Sequence, residues 1–193
     1  MTTFAIQGRC LASPPPADWR EQLARMLGAK PRRIGNWAEL GLYGALSCLA
    51  DAGEQGLPPG ALLLLGSQRG TYMPTGQVLD QMQGDLPMPL TFLQTQPSQL
   101  LALLAAQMRW RGQAAFIAGG TPQSLLQLAA AQCGNAGVLL GWVDEMEGGS
   151  SLWLRLTPCA EISGSTPQAV SAAAMYAPEI THLQVAGGGV QAG

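Results

Sequence analysis

Short apolar runs alternate along this chain with stretches of helical periodicity. Continuous apolar residues over Ala61–Leu65 and Val138–Val143 are typical of strands that are buried on both faces. A third run, Ala114–Ala118, consists mostly of small side chains and predicts another strand. A weaker strand is predicted at Phe4–Gln7, a short apolar run. Another is predicted at Leu152–Leu156, where the order Leu-Trp-Leu-Arg-Leu leaves one face of the strand to solvent.

Helical spacing fills the segments between these strands. The first predicted helix is about ten residues long and is opened or capped by Asp18. The other predicted helices are Ile34–Ala52, Thr75–Met82, Ser98–Met108 and Pro122–Cys133. The Ser98–Met108 helix is apolar nearly all round, so we expect other surfaces to cover every side of it. Helices that alternate with buried strands predict a layered α/β fold with a mostly parallel buried sheet.

The last part of the chain has a different composition. After Thr157 it becomes rich in Ala, Gly, Ser, Pro and Gln, and it ends near Gly187–Gly189. We therefore expect one α/β domain over residues 1–157 and a low-complexity, weakly ordered tail over 158–193. A chain of 193 residues is long enough for one domain with a substantial core.

Composition adds a hint about partners. The chain is 47% hydrophobic and only 11% charged, whereas soluble domains carry about 25% charged residues. Low charge indicates that part of the surface is covered by another protein, although an Ala-, Leu- and Gly-rich composition would give the same figure by itself. The formal net charge of −2 argues against a nucleic-acid partner.

The cysteines and the chain start indicate a cytoplasmic protein. Cys10, Cys48, Cys133 and Cys159 lie far apart without metal-ligand spacing, so we expect free thiols and neither a metal nor a cofactor. The N-terminus lacks the basic and long apolar segments of a signal peptide. The uncharged stretch Gly112–Val143 is broken by glycine and proline, so we expect no membrane span.

Few residues outside these elements carry candidate chemistry. Asp144, Glu145 and Glu147 follow a predicted strand, and they are read either as an acid–base pair or as a solvated loop. The only histidine, His182, lies in the predicted tail and is read as a solvated side chain. The Gly119–Gly120 pair is too short to predict a nucleotide site.

Four short segments, in order, resemble parts of a known family. They are Arg32-Arg33 before a helix that ends Cys48–Gly53, the strand Leu62–Leu65 with Gly66-Ser67, the turn Arg111-Gly112, and the strand Val138–Gly141. In this order and spacing, about residues 3–157 resemble the N-terminal half of the β-ketoacyl synthases, the condensing enzymes of the thiolase-like fold. The resemblance implies a thiolase-like half-fold.

The resemblance also implies that catalysis is lost. The family's nucleophilic cysteine lies nine residues after the glycine of the turn, at the start of a helix, and the same count from Gly112 reaches Thr121. An alcohol needs a positioned base that a thiolate does not. The family's two histidines belong to a C-terminal half for which this chain has no counterpart.

Relatives without the cysteine resemble chain-length-factor subunits. In that role a silent subunit pairs with a full-length β-ketoacyl-ACP synthase in type II polyketide or aryl polyene synthesis, and the acyl tunnel runs along their interface. The resemblance places the pairing strand at Ala114, Ala115, Phe116, Ile117 and Ala118, with Phe116 and Ile117 as anchors. The same run also fits an ordinary central strand.

The resemblance suggests two further sets of residues. Tunnel-wall residues are expected after the second strand, at Met73, Val78 and Leu79. The basic residues Arg25, Lys30, Arg32 and Arg33 are read either as a docking site for an acidic acyl carrier protein or as a solvated helix face.

Two other functions remain open from the sequence. One is a homodimeric binding or regulatory protein that kept the fold and lost the chemistry. The other is an acyltransferase that uses the hydroxyl of Thr121 or Ser124 as its nucleophile.

Overall fold

The computed structural model describes residues 2–84, 89–146, 148–160, 168–169, 171–172, 174–186 and 189–192. Its strands are β1 (Thr2–Ala12), β2 (Leu62–Ser67), β3 (Gln113–Ala118), β4 (Val138–Asp144), β5 (Ser150–Cys159), β6 (Gln168–Ala169), β7 (His182–Ala186) and β8 (Gly189–Ala192). Its helices are α1 (Trp19–Leu27), α2 (Asn36–Asp51), α3 (Tyr72–Gln83), α4 (Pro89–Gln94), α5 (Ser98–Gln107) and α6 (Pro122–Gln132). A short 3-10 turn, Ala174–Tyr176, precedes β7.

The strands form one sheet in the order β3-β2-β4-β5-β1-β7-β8-β6. Strand β2 pairs in parallel with β3 and β4, while β5 is antiparallel to both β4 and β1. Strands β1 to β4 therefore all point the same way, and β5 runs against them. The predicted layered α/β fold with a mostly parallel buried sheet is confirmed for this part, and β7, β8 and β6 extend it by antiparallel pairing.

Strand β2 lies between two apolar layers, as its unbroken leucine run predicts. Leu63 and Leu65 face the layer of α1, α2 and α5, whereas Leu62 and Leu64 face the layer of α6. Full burial of a leucine side chain contributes roughly 2 kcal/mol. The four leucines thus tie both helical layers to one strand.

Strand β1 is longer than the predicted Phe4–Gln7 and continues through Gly8. Its pairing with β5 shifts between Ile6 and Gly8, which marks an irregularity. A Cβ at Gly8 would lie 2.5 Å from the Cys48 carbonyl oxygen, so only glycine lets α2 approach this closely.

The prediction of a weakly ordered tail is wrong for residues 174–186. Strand β7 pairs with β1, placing Leu183 opposite Phe4, and Met175, Tyr176 and Leu183 are buried. The few apolar residues here bury against β1 and the α6 layer, distant surfaces that local composition does not reveal. Residues 161–167 and Gly187–Gly188 lie outside the described residues.

Helix α5 is not covered on every side, contrary to the expectation from its composition. Leu100 and Leu104 are fully buried, but Ala102 and Ala106 are exposed. Exposing an alanine side chain to water costs little free energy, because the side chain is small. In the sequence, these alanines counted as apolar residues, so the helix was predicted to be apolar nearly all round. Of the helices in the described residues, none has both the length and the apolar character needed to cross a membrane.

Candidate functional site

Thr121, the residue that the count from Gly112 reaches, lies at the junction of β3 and α6. Gly119 and Gly120 turn the chain with φ values of 76° and 79°, in the region that favours glycine. The Thr121 hydroxyl accepts a hydrogen bond from the Ser124 backbone N–H at 3.2 Å. The Ser124 hydroxyl accepts from the Thr121 N–H at 2.9 Å and donates to the Thr121 carbonyl at 2.7 Å. Both candidate nucleophiles therefore form the capping box of α6.

The described residues place no general base beside these hydroxyls. His182 opens β7, and its Nδ1 lies 2.9 Å from the Thr181 hydroxyl. Cys133 lies at the opposite end of α6, where burial raises the pKa of its thiol. Among the described side chains, none from His, Asp or Glu hydrogen-bonds Thr121 or Ser124. The local geometry suits a helix cap rather than nucleophilic attack.

Strand β3 is an edge strand of the sheet. One side pairs with β2, from Leu62 opposite Gln113 to Ser67 opposite Ala118. The other side pairs with no strand among the described residues, and the side chains of Gln113, Ala114 and Ala118 are exposed. Within the described part of the chain, β3 is therefore at the edge and not in the centre of the sheet, unlike the alternative reading of this run. Such an edge presents free N–H and C=O groups to another chain.

Phe116 does not point away from the chain as an anchor would. Its ring meets Trp37 edge to face, with centroids 5.9 Å apart and planes at 88°. Ile117 packs partly buried against the opposite core layer. The exposed side chains among the five predicted interface residues are thus Ala114 and Ala118, whose size allows close approach of another backbone.

A group of exposed apolar side chains begins next to β3. Gly70, just before α3, is so close to Phe116 that a Cβ there would lie 3.5 Å from the ring. Seven large apolar side chains on α3 and α4 are exposed, and we refer to them together as the α3–α4 surface; they are Tyr72, Met73, Leu79, Met82, Leu90, Phe92 and Leu93. Exposed apolar side chains on two helices that contact each other make this region a candidate contact surface.

The three predicted tunnel residues are not brought together. Met73 lines a cleft of about 540 Å³ whose other lining residues are Ile34, Gly35, Asn36, Pro74, Gln77, Gln94, Glu145 and Met146. Leu79 belongs to the α3–α4 surface, and Val78 is half-buried on the same helix. Sequence reasoning missed this cleft because its walls come from four separated segments.

The acidic residues at the end of β4 and just after it have separate roles. Asp144 Oδ1 accepts from the Ser67 hydroxyl at 2.7 Å and from the Gln68 and Arg69 N–H groups at 3.1 and 3.4 Å, and so fixes the turn after β2. Glu145 lines the cleft, and burial raises the pKa of its carboxyl group. They do not form the acid–base pair that was one reading of the cluster, and Glu147 lies outside the described residues.

The predicted basic docking residues are exposed. Arg25 lies 3.7 Å from Asp18, and both side chains face solvent. Lys30, Arg32 and Arg33 form no salt bridge with any described residue. No three His, Cys, Asp or Glu side chains in the described part of the chain come together as a metal site requires.

The comparison with solved structures finds proteins similar to this chain, whereas the comparisons of sequence do not. No family model matches the sequence, and no curated protein matches it. The ishigamide ketosynthase/chain length factor matches with a TM-score of 0.57 and 12% identity, over 81% of this chain and 58% of that one. The ketosynthase ApeO in complex with its chain length factor ApeC, from Xenorhabdus doucetiae, matches with a TM-score of 0.53 and 16% identity, over 88% of this chain and 81% of the matched chain.

These matches define the class of fold. The chain has the fold of ketosynthase/chain length factor proteins, as the sequence resemblance implied. It spans less than two thirds of the ishigamide chain, at 58%.

Proposed function

We propose that the chain is a non-catalytic subunit of the chain-length-factor type. It heterodimerises with an active β-ketoacyl-ACP synthase of cytoplasmic type II polyketide or aryl polyene synthesis and stabilises that enzyme. The observation that carries the proposal is the position of β3 at the sheet edge, with exposed Ala114 and Ala118. Addition of a partner strand satisfies such an edge with backbone hydrogen bonds, and small side chains let the strands meet.

The α3–α4 surface supports a large interface around that strand. It begins beside β3, because Gly70 lies close to the Phe116 ring, and it presents aromatic and methionine side chains of the kind enriched in protein interfaces. Met73, Val78 and Leu79 lie on α3. In the heterodimer this helix borders the partner, and Met73 and Leu79 contribute to the wall of the acyl tunnel.

The capping role of Thr121 supports the proposal that the chain is catalytically silent. The Thr121 hydroxyl caps α6 and carries no contact to a base among the described residues. The partner ketosynthase supplies the thiol and the histidines in this proposal. Lys30, Arg32 and Arg33 remain free to attract the acidic acyl carrier protein that delivers the chain.

The proposal is tested by co-expression with a tagged ketosynthase encoded beside this gene. We expect both chains to co-elute in gel filtration at micromolar concentration. Ala118→Lys places a long charged side chain at the edge of β3 and should abolish co-elution, because charge at an edge strand opposes strand addition. Ala17→Lys, at an exposed alanine outside β3, serves as the matched control. Separate elution of the wild-type chains would disprove the proposal.

A further inference from the structure

Ser67, the last residue of β2, is hydrogen-bonded to three neighbouring parts of the chain. Its hydroxyl donates at 2.7 Å to Asp144 Oδ1, at the end of β4, and accepts at 2.7 Å from the Gly70 N–H, just before α3. Its carbonyl oxygen accepts from the Gly119 N–H, just after β3, at 2.8 Å. Ser67 is fully buried, so water does not compete for these bonds. One serine thus joins the carboxyl ends of β2, β3 and β4 to the start of α3.

Asp144 holds the same turn through a single oxygen. Besides the Ser67 hydroxyl, its Oδ1 accepts from the backbone N–H groups of Gln68 and Arg69 at 3.1 and 3.4 Å. Hydrogen bonds to a carboxylate are stronger than those between neutral groups. The carboxylate and the Ser67 hydroxyl together therefore set the path of the chain from β2 into α3.

Thr71 extends this positioning to α4. Its hydroxyl donates at 2.7 Å to the carbonyl oxygen of Thr95, the residue after α4. Its own carbonyl oxygen accepts from the Thr75 hydroxyl, within α3, also at 2.7 Å. Because Thr71 is buried and directly follows Gly70, the turn that Ser67 holds also carries the link between α3 and α4. Both helices of the α3–α4 surface thus depend on one turn.

A second set of contacts joins β3 to this turn. The Phe116 ring of β3 meets Trp37 edge to face, and Trp37 Nε1 donates to the Val143 carbonyl oxygen in β4 at 3.0 Å. Phe116 also lies close to Gly70, the residue whose N–H group the serine hydroxyl accepts. The contacts therefore form a closed path through the ends of β2, β3 and β4. Such a path holds the β3 edge and the α3–α4 surface in one relative position.

We propose that Ser67 and Asp144 are positioning residues of the ketosynthase interface. They hold the α3–α4 surface beside the β3 edge, so that one partner engages both. Neither residue belongs to the edge or to the surface itself. Holding two contact regions in their bound arrangement reduces the ordering cost of association. The inference rests on the proposed heterodimer, but the positioning itself is a property of the isolated chain.

The first test is amide hydrogen exchange of the isolated full-length chain. In Ser67→Ala the amides of α3 should exchange about tenfold faster than in the wild type, because the turn loses the hydroxyl that joins it to β4. Unchanged exchange of α3 in this variant would overturn the proposal.

Ser151→Ala is the matched control for the loss of a buried hydroxyl. Ser151 is as buried as Ser67, and its hydroxyl also donates once and accepts once. It donates to the Leu40 carbonyl oxygen at 2.8 Å and accepts from Trp153 Nε1 at 2.9 Å, away from the turn. Exchange of α3 should stay near the wild-type rate in this control. Equal acceleration in the two variants would show general destabilisation and overturn the proposal.

The second test is the affinity of each variant for the ketosynthase encoded beside this gene. Ser67→Ala and Asp144→Ala should each raise the Kd about tenfold, because the two contact regions are no longer held together. Asp144→Asn keeps an acceptor oxygen in the place of Oδ1 and should restore the affinity, and Ser151→Ala should leave it unchanged. An Asp144→Asn variant as weak as Asp144→Ala would contradict the positioning role. Should Ser67→Ala fail to fold, the two Asp144 variants decide.

These outcomes separate the inference from the proposed function. Absence of binding by the wild-type chain would overturn the proposed function and the interface role of Ser67 together. Binding by the wild-type chain, with equal effects of Ser67→Ala and Ser151→Ala on affinity, would overturn the positioning role alone.

Discussion

Arg155 Nε donates to Glu54 Oε2 at 2.8 Å, and the arginine side chain is only 2% exposed. The pair joins β5 to the loop after α2. Arg155 Nη1 also donates to the Leu156 carbonyl oxygen at 3.0 Å, so the buried guanidinium is held at two points. Removing the carboxylate partner of a buried cation destabilises a protein far more than removing the partner of an exposed cation.

Glu54→Gln should therefore destabilise the chain by about 3 kcal/mol, since the charge of Arg155 remains buried without a counter-charge. Urea unfolding followed by circular dichroism measures the loss. Asp18→Asn, which breaks the exposed pair with Arg25, is the matched control and should cost less than about 0.5 kcal/mol. Equal losses in the two variants would contradict the buried role of Arg155.

The guanidinium of Arg9 connects β1 to the segment before β7. It donates to the carbonyl oxygens of Ala177 and Ile180, the latter at 2.9 Å. Arg9→Met removes both bonds, so amide exchange in residues 174–186 should become about tenfold faster while β2 stays protected. Hydrogen exchange with mass spectrometry resolves the two segments. Equal acceleration in both would indicate general destabilisation instead.

Thr121→Val removes the cap acceptor of α6 and should cost about 1 kcal/mol of stability. Product formation by the ketosynthase complex, divided by the amount of complex, should not change, because the hydroxyl has only a capping role. Ser124→Ala removes the other half of the capping box and should behave in the same way. Loss of turnover at an unchanged amount of complex would revive the acyltransferase hypothesis.

The cysteines should differ in reactivity. Burial raises the pKa of Cys10 to about 11 and also raises that of Cys48, whereas Cys159 is exposed. Iodoacetamide at pH 8 should modify Cys159 and spare Cys10, because the thiolate is the reactive form. Peptide mass spectrometry measures how fast each cysteine is alkylated, and equal alkylation rates at Cys159 and Cys10 would contradict the prediction.

The same shift predicts how stability depends on pH. In the unfolded chain the Cys10 thiol ionises near pH 9, and in the folded chain near pH 11. The unfolded state therefore binds fewer protons in this window, and the free energy of unfolding should fall as the pH rises through it. Cys10→Ser should flatten that slope in urea unfolding, and an unchanged slope would assign the effect to other groups.

The sequence predicted the central fold well because its signals there are local. The leucine run of β2 and the helix from Pro122 both appear at nearly the predicted bounds. Strand β7 was missed because its stability comes from pairing with β1, almost the whole chain length away. The edge position of β3 was suggested only by the family resemblance, since composition does not distinguish an edge strand from a central one when the side chains are small.

In the candidate site, too, the sequence predicted the local features, whereas contacts between distant segments needed the structure. Thr121 was located by counting, but its capping box needed the structure. Phe116 was expected at the interface, whereas it contacts Trp37, which lies far away in the sequence. The cleft beside Glu145 combines segments near residues 35, 73, 94 and 145, and no local pattern signals such a combination.

The measurement that tests the partner role most directly is amide hydrogen exchange of Gln113–Ala118, with and without the bound ketosynthase. Strand addition should slow exchange about tenfold or more at the alternate β3 amides that face the free edge, because they gain hydrogen bonds. Helix α1 serves as an internal reference and should exchange equally in both states. Unchanged exchange throughout β3 in an intact complex would contradict the account.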